Sequence, residues 1–216
     1  MATIADNLQA IRKRLGAATL LAVSKGQSEE KIREAVAAGQ KAFGENYVQE
    51  ALEKMHALPA GLEWHLIGPL QRNKTRAVAE RFDWVQTVAN EKIARHLSEQ
   101  RPAHLAPLNV LVQVNASGET SKSGVAPAEV LPLCEKISVL KGVKLRGLMA
   151  IPEPGAPRTR FHEMRVLFEE LKPRLGLDTL SMGMSDDMDI ALSEGSTMVR
   201  IGTALFGPRQ KIRSAA

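Results

Sequence analysis

The chain alternates between short β-rich runs and segments with helical periodicity, and this alternation constrains its fold more than any other feature. Strand character recurs at residues 19–25, 40–46, 63–68, 83–88, 108–115, 144–151, 179–184 and 197–206. Helical segments such as EEKIREAVAAG and YVQEALEKMHAL separate these runs, after a leading amphipathic helix near the N-terminus. Strands that alternate with helices form parallel sheets, and eight such units predict a closed barrel.

The alternative is a doubly wound open sheet, which usually has fewer strands and a glycine-rich turn after the first one. The first turn here reads SKGQSEE, which is not that fingerprint. A length of 216 residues is near the lower end for a barrel and suits one domain. We therefore predict an α/β fold, a single (β/α)8 TIM barrel with an extra N-terminal helix, as one domain over residues 1–216.

Composition narrows the class of protein. No apolar run is long enough to span a bilayer, and the N-terminal segment MATIADNLQAIRKRLG has no secretory signal pattern. The lone cysteine, Cys134, precludes an intramolecular disulfide and lies among helix-like apolar residues, where a buried thiol is expected. These features predict a cytoplasmic protein that does not contact membranes.

The chain is basic, with a formal net charge of +5. Its basic clusters lie at residues 12–14, 72–76 and 209–213, and no aromatic residues interleave with them as a base-stacking surface requires. We therefore expect no nucleic-acid partner, and a solvated surface or a field that attracts a phosphorylated small molecule instead. His96, His104 and His162 lack metal-ligand spacing, so we predict no metal site.

Barrel sites lie at the carboxyl ends of the strands, and the first predicted strand ends with Lys25. Alternate strand residues share a face, so Leu21, Val23 and Lys25 point the same way. If the two apolar residues fill the barrel, the lysine is desolvated, which lowers an amine pKa and makes the amine a nucleophile toward carbonyls. Taken alone, Lys25 is better interpreted as a strand-end lysine that simply reaches water.

The last two predicted strands strengthen the first interpretation. Ser185 is placed to be the N-cap of a short helix at about 186–194, and helix N-termini bind phosphate. The last strand supplies Arg200, Gly202, which permits close backbone approach, and Thr203, which offers a hydroxyl and an N–H. Each alone is also read as an ordinary cap or packing residue, but together with Lys25 they suggest a site for a phosphorylated aldehyde.

Seven motifs then identify a family. AVSK, FGENYVQE, EWHLIGPLQRNK, SKSG, LRGLMAI, GMSDDM and STMVRIGTALFG occur in this order between residues 19 and 208. They resemble, nearly word for word, the motifs of the pyridoxal phosphate homeostasis proteins, and the resemblance spans almost the whole chain. It implies a barrel like the N-terminal domain of alanine racemase, with pyridoxal 5′-phosphate held as a Schiff base on Lys25.

The resemblance also assigns the remaining cofactor-binding residues. Ser185 and the pair Gly202 and Thr203 would hold the phosphate. Arg200 would face the pyridine nitrogen, and Asn46 would lie beside the cofactor. An arginine has no acceptor for a hydrogen bond from a protonated ring nitrogen, so the ring nitrogen should stay unprotonated and the ring should act as a weak electron sink.

What the chain lacks also bears on function. The alanine racemase relatives carry a second, β-rich domain whose tyrosine is the opposite base, and the sequence ends at Ala216, soon after the last predicted strand. Racemisation needs an acid or base on each face of a planar intermediate. Tyr47, the only tyrosine, follows Asn46 and is interpreted as a packing or pocket-rim residue.

Two further residues carry weaker hypotheses. His65 lies in the third predicted strand, where a buried and hydrogen-bonded histidine is favoured over a catalytic one. Lys122, in SKSG, is either a second, transient acceptor of the aldehyde or a solvated lysine.

The leading hypothesis is a non-catalytic protein of intracellular pyridoxal phosphate homeostasis, a monomer whose partners are the cofactor and apo-enzymes that receive it. The runner-up is a low-activity racemase or lyase that uses Lys25 as its base. A third hypothesis is a barrel aldolase that forms its Schiff base with a sugar phosphate.

Overall fold

The computed structural model describes residues 2–117 and 123–208. Eight parallel strands lie in these ranges: β1 (Thr19–Val23), β2 (Ala42–Glu45), β3 (Glu63–Leu66), β4 (Trp84–Val88), β5 (Leu108–Val114), β6 (Val143–Ala150), β7 (Thr179–Ser181) and β8 (Met198–Ile201). Each pairs with its neighbour in chain order, and β1 also pairs with β8, which closes the sheet. The predicted (β/α)8 barrel is therefore confirmed.

Helices connect the strands and cover the barrel. They are α1 (Ile4–Arg12), α2 (Glu29–Ala37), α3 (Val48–Ala57), α4 (Thr75–Arg81), α5 (Glu91–Gln100), α6 (Pro127–Ser138), α7 (Arg158–Leu175), α8 (Met188–Ser193) and α9 (Thr203–Phe206), with a 3₁₀ turn at Arg72–Lys74 before α4. The predicted leading helix, α1, begins at a capping box in which Thr3 and Asp6 each bond the other's backbone N–H.

The main apolar core lies between the barrel wall and the helices. Outward-facing strand residues such as Ala22 and Phe43 pack there with helix residues such as Ile32 and Leu97, all fully buried. Cys134 belongs to this core, and its burial raises the pKa of the thiol to about 12. No helix in the described ranges has both the length and the hydropathy that a bilayer crossing requires.

The barrel interior holds two smaller apolar clusters. One joins Leu21, Ala42, Ile67 and Met198 with Val23, and the other joins Trp84, Leu111 and Met149. Polar side chains occupy the space between them, including His65, Gln86, Ser181 and Arg200, which are all buried. Barrel interiors are usually filled by layers of branched apolar residues, so this polar filling is a particular feature of the chain.

Several predicted strands are shorter than their apolar patterns indicate, and β8 and β1 show why. Strand β8 was expected to run to Phe206, but it ends at Ile201, because the N–H groups of Leu205 and Phe206 bond back to the carbonyl of Gly202 and form α9. Strand β1 ends at Val23, before Lys25, because Gly26 has a φ of +66° and the Gln27 N–H closes a turn onto the Ser24 carbonyl.

The predicted cap of the helix after β7 is wrong. Helix α8 begins at Met188 with Asp187 as its N-cap, two residues later than expected, and the Asp187 carboxylate accepts a bond from the Met184 N–H. Strand β7 stops at Ser181, because Gly183 turns the chain with a φ of +96°. Ser185 therefore lies in a loop, and its hydroxyl oxygen accepts a hydrogen bond from a different helix, α9.

Candidate functional site

A cavity of about 290 Å³ lies at the carboxyl ends of β1, β2, β7 and β8. All six residues that the sequence proposed as cofactor ligands line it: Lys25, Asn46, Ser185, Arg200, Gly202 and Thr203. The remaining lining residues were not proposed as cofactor ligands from the sequence: Val23, Gln27, Ile67, Ile151, Met184 and Asp186. Barrel closure thus brings groups from the two ends of the chain into one small-molecule-sized space.

A second cavity of about 310 Å³ adjoins the first. The two share Asn46, Ile67 and Ile151 as lining residues. Asn46 therefore lies on the common wall, and its Oδ1 atom is buried with no hydrogen-bond donor among the described residues. An acceptor in this position is expected to take a donor from a bound molecule or from water.

The turn that carries Lys25 is fixed from both sides. The Lys54 ammonium donates to the Ser24 carbonyl at 2.7 Å, and the Gly26 N–H donates to a Glu50 carboxylate oxygen at 2.6 Å. The Ser24 hydroxyl also donates to Glu45, at 2.6 Å. These bonds hold the backbone immediately before and after the lysine, so the backbone position of Lys25 is set by α3 and β2 as well as by β1.

Lys54 is the centre of this supporting cluster. Its ammonium lies 2.7 Å from a carboxylate oxygen of both Glu45 and Glu50, and the side chain is 7% exposed. Burial raises the pKa of the fully buried Glu45 carboxyl, against the opposing effects of Lys54 and Ser24. The cluster is a buried ion pair with a second carboxylate, which is costly to assemble and costly to break.

Arg200 is the buried cation of the cavity itself. One of its terminal nitrogens, Nη1, donates to the carbonyl and to the hydroxyl of Ser181, both at 2.8 Å, and Nη2 donates to the Ala150 carbonyl at 2.8 Å. Burial lowers the pKa of the guanidinium to about 10, so it stays charged at neutral pH. Since a guanidinium has five N–H groups, two remain for a ligand.

Another part of the cavity wall is built from small and hydroxyl-bearing residues. Ser185 accepts a hydrogen bond from the Ala204 N–H, in the first turn of α9, at 3.3 Å. Gly202 is the N-cap of that helix, and a Cβ atom there would lie 3.3 Å from the Val23 carbonyl oxygen. Thr203 follows as the first helical residue. Ser185 is therefore joined to the start of α9 and not to α8, as the sequence suggested.

Several supporting residues escaped sequence reasoning. His65 is buried and hydrogen-bonded, as favoured, but its link to Arg200 through Gln86 and Ser181 was not foreseen. Strand parity could have placed Ser181 and Arg200 on inward faces, yet parity says nothing about which strands meet across a barrel. Tyr47 is 68% exposed at the N-cap of α3 and does not line the cavity. Lys122 lies outside the described residues.

Comparisons with known proteins agree with this geometry. Residues 1–210 match the family described as alanine racemase, N-terminal domain. The chain is 53% identical to a pyridoxal phosphate homeostasis protein of Pseudomonas aeruginosa, across 97% of both chains. It is 51% identical to a protein of the same name from Escherichia coli K12, across 97% of this chain and 98% of that one.

The fold is also similar to that of PipY from Synechococcus elongatus, which has been solved without PLP and with PLP bound. The two proteins are 38% identical, and the similarity covers 95% of this chain and all of PipY. The TM-scores are 0.89 for the structure without PLP and 0.86 for the structure with PLP.

Proposed function

Because the chain belongs to the family of pyridoxal phosphate homeostasis proteins, we propose that it binds pyridoxal 5′-phosphate in the Lys25 cavity and takes part in intracellular pyridoxal phosphate homeostasis. One observation carries the proposal: an amine, a buried guanidinium with two N–H groups to spare, and a wall of hydroxyls and glycine all line the same cavity. An aldehyde, a ring nitrogen and a phosphate are the groups that such a set would recognise.

The residues present are compatible with the cofactor. Asn46 Oδ1 is buried without a donor, and the cofactor carries a hydroxyl that can donate. At Gly202, where a side chain would be tight against Val23, the missing Cβ leaves the start of α9 accessible. The cavity volume of about 290 Å³ is close to the lower end of the usual range for small-molecule sites.

When bound, the cofactor would supply an aldehyde, a group that condenses with a primary amine with loss of water. The product of that condensation absorbs visible light. We propose that Lys25 Nζ is the amine that anchors it as a Schiff base. Ser185, Gly202 and Thr203 would hold the phosphate, and Asn46 would lie beside the ring. Arg200 would donate a hydrogen bond to the ring nitrogen.

We propose further that the protein holds the cofactor without catalysing a reaction on it. With its pKa near 10, Arg200 is protonated at neutral pH and can only donate hydrogen bonds, so it would pair with an unprotonated ring nitrogen and not with a protonated one. The ring is then a weak electron sink. The names of the curated relatives, which refer to homeostasis, support the same proposal.

A second candidate is a low-activity racemase or lyase. It is favoured by Asp186, which joins Lys25 among the described lining residues and carries a carboxylate that could serve as a second acid or base. Incubating pure protein with single L-amino acids and analysing their chirality separates the candidates. Release of D-enantiomer that disappears in Lys25→Ala would establish the enzyme, and no conversion would support the holding protein.

The central experiment is the visible spectrum of purified protein mixed with pyridoxal 5′-phosphate, before and after borohydride reduction, followed by peptide mass mapping. We expect a yellow wild type with a reduced adduct on Lys25 and a colourless Lys25→Ala variant. Lys41→Ala, which removes an exposed lysine before β2, is the control and should bind like wild type. A wild type that stays colourless would overturn the proposal and favour the sugar-phosphate aldolase.

The finer expectations from the sequence are part of this proposal. They are a single pyridoxal-phosphate-binding domain over residues 1–216, a cytoplasmic monomer, and delivery of the cofactor to apo-enzymes. Light scattering tests whether the protein is a monomer. Recovery of activity in an apo-enzyme mixed with the loaded protein tests delivery of the cofactor.

A further inference from the structure

A chain of hydrogen bonds crosses the barrel interior from the cavity to the opposite end. It begins where Arg200 Nη1 donates to the Ser181 hydroxyl at 2.8 Å, and that hydroxyl donates to Gln86 Oε1 at 2.7 Å. Gln86 Nε2 then lies 2.9 Å from His65 Nδ1, and His65 Nε2 lies 2.7 Å from a Glu63 carboxylate oxygen. Three of the links, Ser181, Gln86 and His65, are fully buried.

One assignment of donors satisfies every link. Arginine only donates, so the Ser181 oxygen accepts from Arg200 and its proton goes to the Gln86 carbonyl oxygen. The Gln86 amide nitrogen therefore donates to His65 Nδ1, which must be the unprotonated nitrogen. His65 carries its proton on Nε2 and donates to Glu63. This requires a neutral His65, and burial lowers the pKa of that imidazole.

The chain of hydrogen bonds partly compensates the buried positive charge of Arg200. No carboxylate lies within hydrogen-bond distance of its guanidinium among the described residues, although the side chain is buried; the charge of Asp187 raises the pKa of Arg200 from farther away, against the larger effect of burial. The donors in the chain all point the same way, so each dipole presents its negative end toward the arginine and its positive end toward the Glu63 carboxylate. Aligned hydrogen bonds of this kind strengthen one another in a low-dielectric interior.

We propose that Ser181, Gln86 and His65 are positioning residues, which orient Arg200 toward the cofactor and couple it to Glu63 at the other end of the barrel. The inference rests on the proposed function, because it concerns how Arg200 meets the bound ring. These residues do not line the cavity and act only through the arginine. Burying these polar side chains costs free energy that the usual apolar filling of a barrel would not, so a role in holding Arg200 explains their presence.

Protonation of His65 should reverse the direction of some hydrogen bonds in this series. A proton on Nδ1 would oppose the Gln86 amide nitrogen, so the amide would have to turn and present that nitrogen to Ser181. The Ser181 hydroxyl would then lose the acceptor for its own proton. The charged groups around His65 are Glu63 on β3, Asp83 before β4, and Arg146 on β6, which lies over the Trp84 ring that stacks on the imidazole.

The test compares two serines that lie close together. Ser181→Ala removes a link of the hydrogen-bond chain, whereas Ser196→Ala removes a buried hydroxyl whose single donor lies nearest the Met182 carbonyl, at 2.7 Å, and which does not contact Arg200. We expect Ser181→Ala and Gln86→Leu to shift the absorption maximum of bound pyridoxal 5′-phosphate in the direction seen in Arg200→Lys. Their dissociation constants should rise by about tenfold, as for one lost hydrogen bond to a charged group.

A second pair tests His65. His65→Asn keeps an acceptor near the position of Nδ1 but cannot titrate, so its spectrum at neutral pH should match wild type and lose the change that wild type shows below pH 6.5. His65→Leu removes the acceptor and should behave like Gln86→Leu at every pH. Rescue by asparagine but not by leucine is a result that loss of packing alone does not produce.

Several outcomes would overturn the inference. It fails if the wild type binds the cofactor but Ser181→Ala and Gln86→Leu leave its spectrum unchanged, or if Ser196→Ala shifts the spectrum as much. In either case the proposed function survives, since the wild type still forms the Lys25 adduct. A wild type that binds no cofactor overturns both proposals, and the borohydride adduct distinguishes this case from the others.

Discussion

Two buried cations serve the same cavity, and the protein compensates them in opposite ways. Lys54, behind the Lys25 turn, uses all three of its N–H groups on Ser24, Glu45 and Glu50, two of which supply carboxylates. Arg200, in the cavity wall, uses three of its five on uncharged carbonyl and hydroxyl oxygens. The first cation is fully satisfied by the protein, and the second retains donors for something else.

The difference distinguishes a cation that stabilises the protein structure from a cation that can also bind a ligand. A cation paired with neighbouring carboxylates has no reason to attract a ligand, and it holds the backbone in place instead. A cation whose hydrogen-bond partners in the protein are uncharged oxygens keeps some N–H groups for a bound molecule, at the cost of burying a charge. We expect the two sites to respond differently to substitution.

The largest expected effect comes from Lys54→Met. It leaves the buried Glu45 and the half-buried Glu50 side by side without a cation, so we expect the free energy of unfolding in urea to fall by about 3–5 kcal/mol. Lys92→Met, which removes an exposed lysine on α5, should change it by less than about 0.5 kcal/mol.

A double substitution makes this prediction sharper. If unpaired carboxylate charge causes the loss, adding Glu45→Gln to Lys54→Met should recover part of the stability, and a double-mutant cycle measures the coupling. Equal stability of Lys54→Met and wild type would show that the cluster does not hold the Lys25 turn.

Arg200→Met should cost less. The substitution leaves the Ser181 and Ala150 carbonyls without the arginine donor, but it leaves no carboxylate without a cation. We therefore expect the free energy of unfolding to fall by at most about 2 kcal/mol in the same urea experiment. A cost as large as that of Lys54→Met would mean that the two cations are equivalent structural elements, and the comparison between them would fail.

Acid should affect the Arg200 side through His65. Because the folded protein holds this histidine with a pKa below its usual 6.5, the unfolded chain binds the proton more readily, and stability falls as the pH drops below 6.5. The slope from this one group is at most about 1.4 kcal/mol per pH unit. Thermal or urea unfolding from pH 7.5 to 5 should show a shallower dependence for His65→Asn than for wild type, and parallel curves would contradict the assignment.

The smallest effect is expected for Ser24→Ala. It removes one hydrogen bond to Glu45 while the Lys54 contacts stay in place, so the loss should be about 1 kcal/mol. Ser193→Ala, an exposed serine on α8, is the control. No difference between the two variants would show that Lys54 alone supports this carboxylate.

Much of this protein follows from its sequence. The alternation of strands and helices predicted the closed barrel, because the two periodicities of 2.0 and 3.6 residues are local properties of the chain. The parity of Leu21, Val23 and Lys25 predicted a lysine above apolar interior residues, and the motifs pointed to six residues that line one cavity. Their roles toward the cofactor stay predictions until Lys25 and Arg200 are tested.

Element ends were less predictable for a physical reason. The apolar pattern of residues 197–206 continues past the end of β8, because Leu205 and Phe206 are buried in α9 as strand residues would be. Hydrophobicity reports burial and not backbone conformation, so the turn at Gly202 was invisible to it. The same holds for Ser185, whose sequence position suits a cap of α8 while its hydroxyl bonds the Ala204 N–H.

The sequence by itself thus determined the fold class, the family, and which residues could do chemistry. Only the tertiary structure decided which polar groups meet: Lys54 with Glu45, and Arg200 with Ser181, Gln86 and His65. These partners lie on different elements, and their contacts depend on strand register and on closure of β8 against β1. Hydrogen bonds require alignment within a few tenths of an ångström, and no pattern along a single chain carries that information.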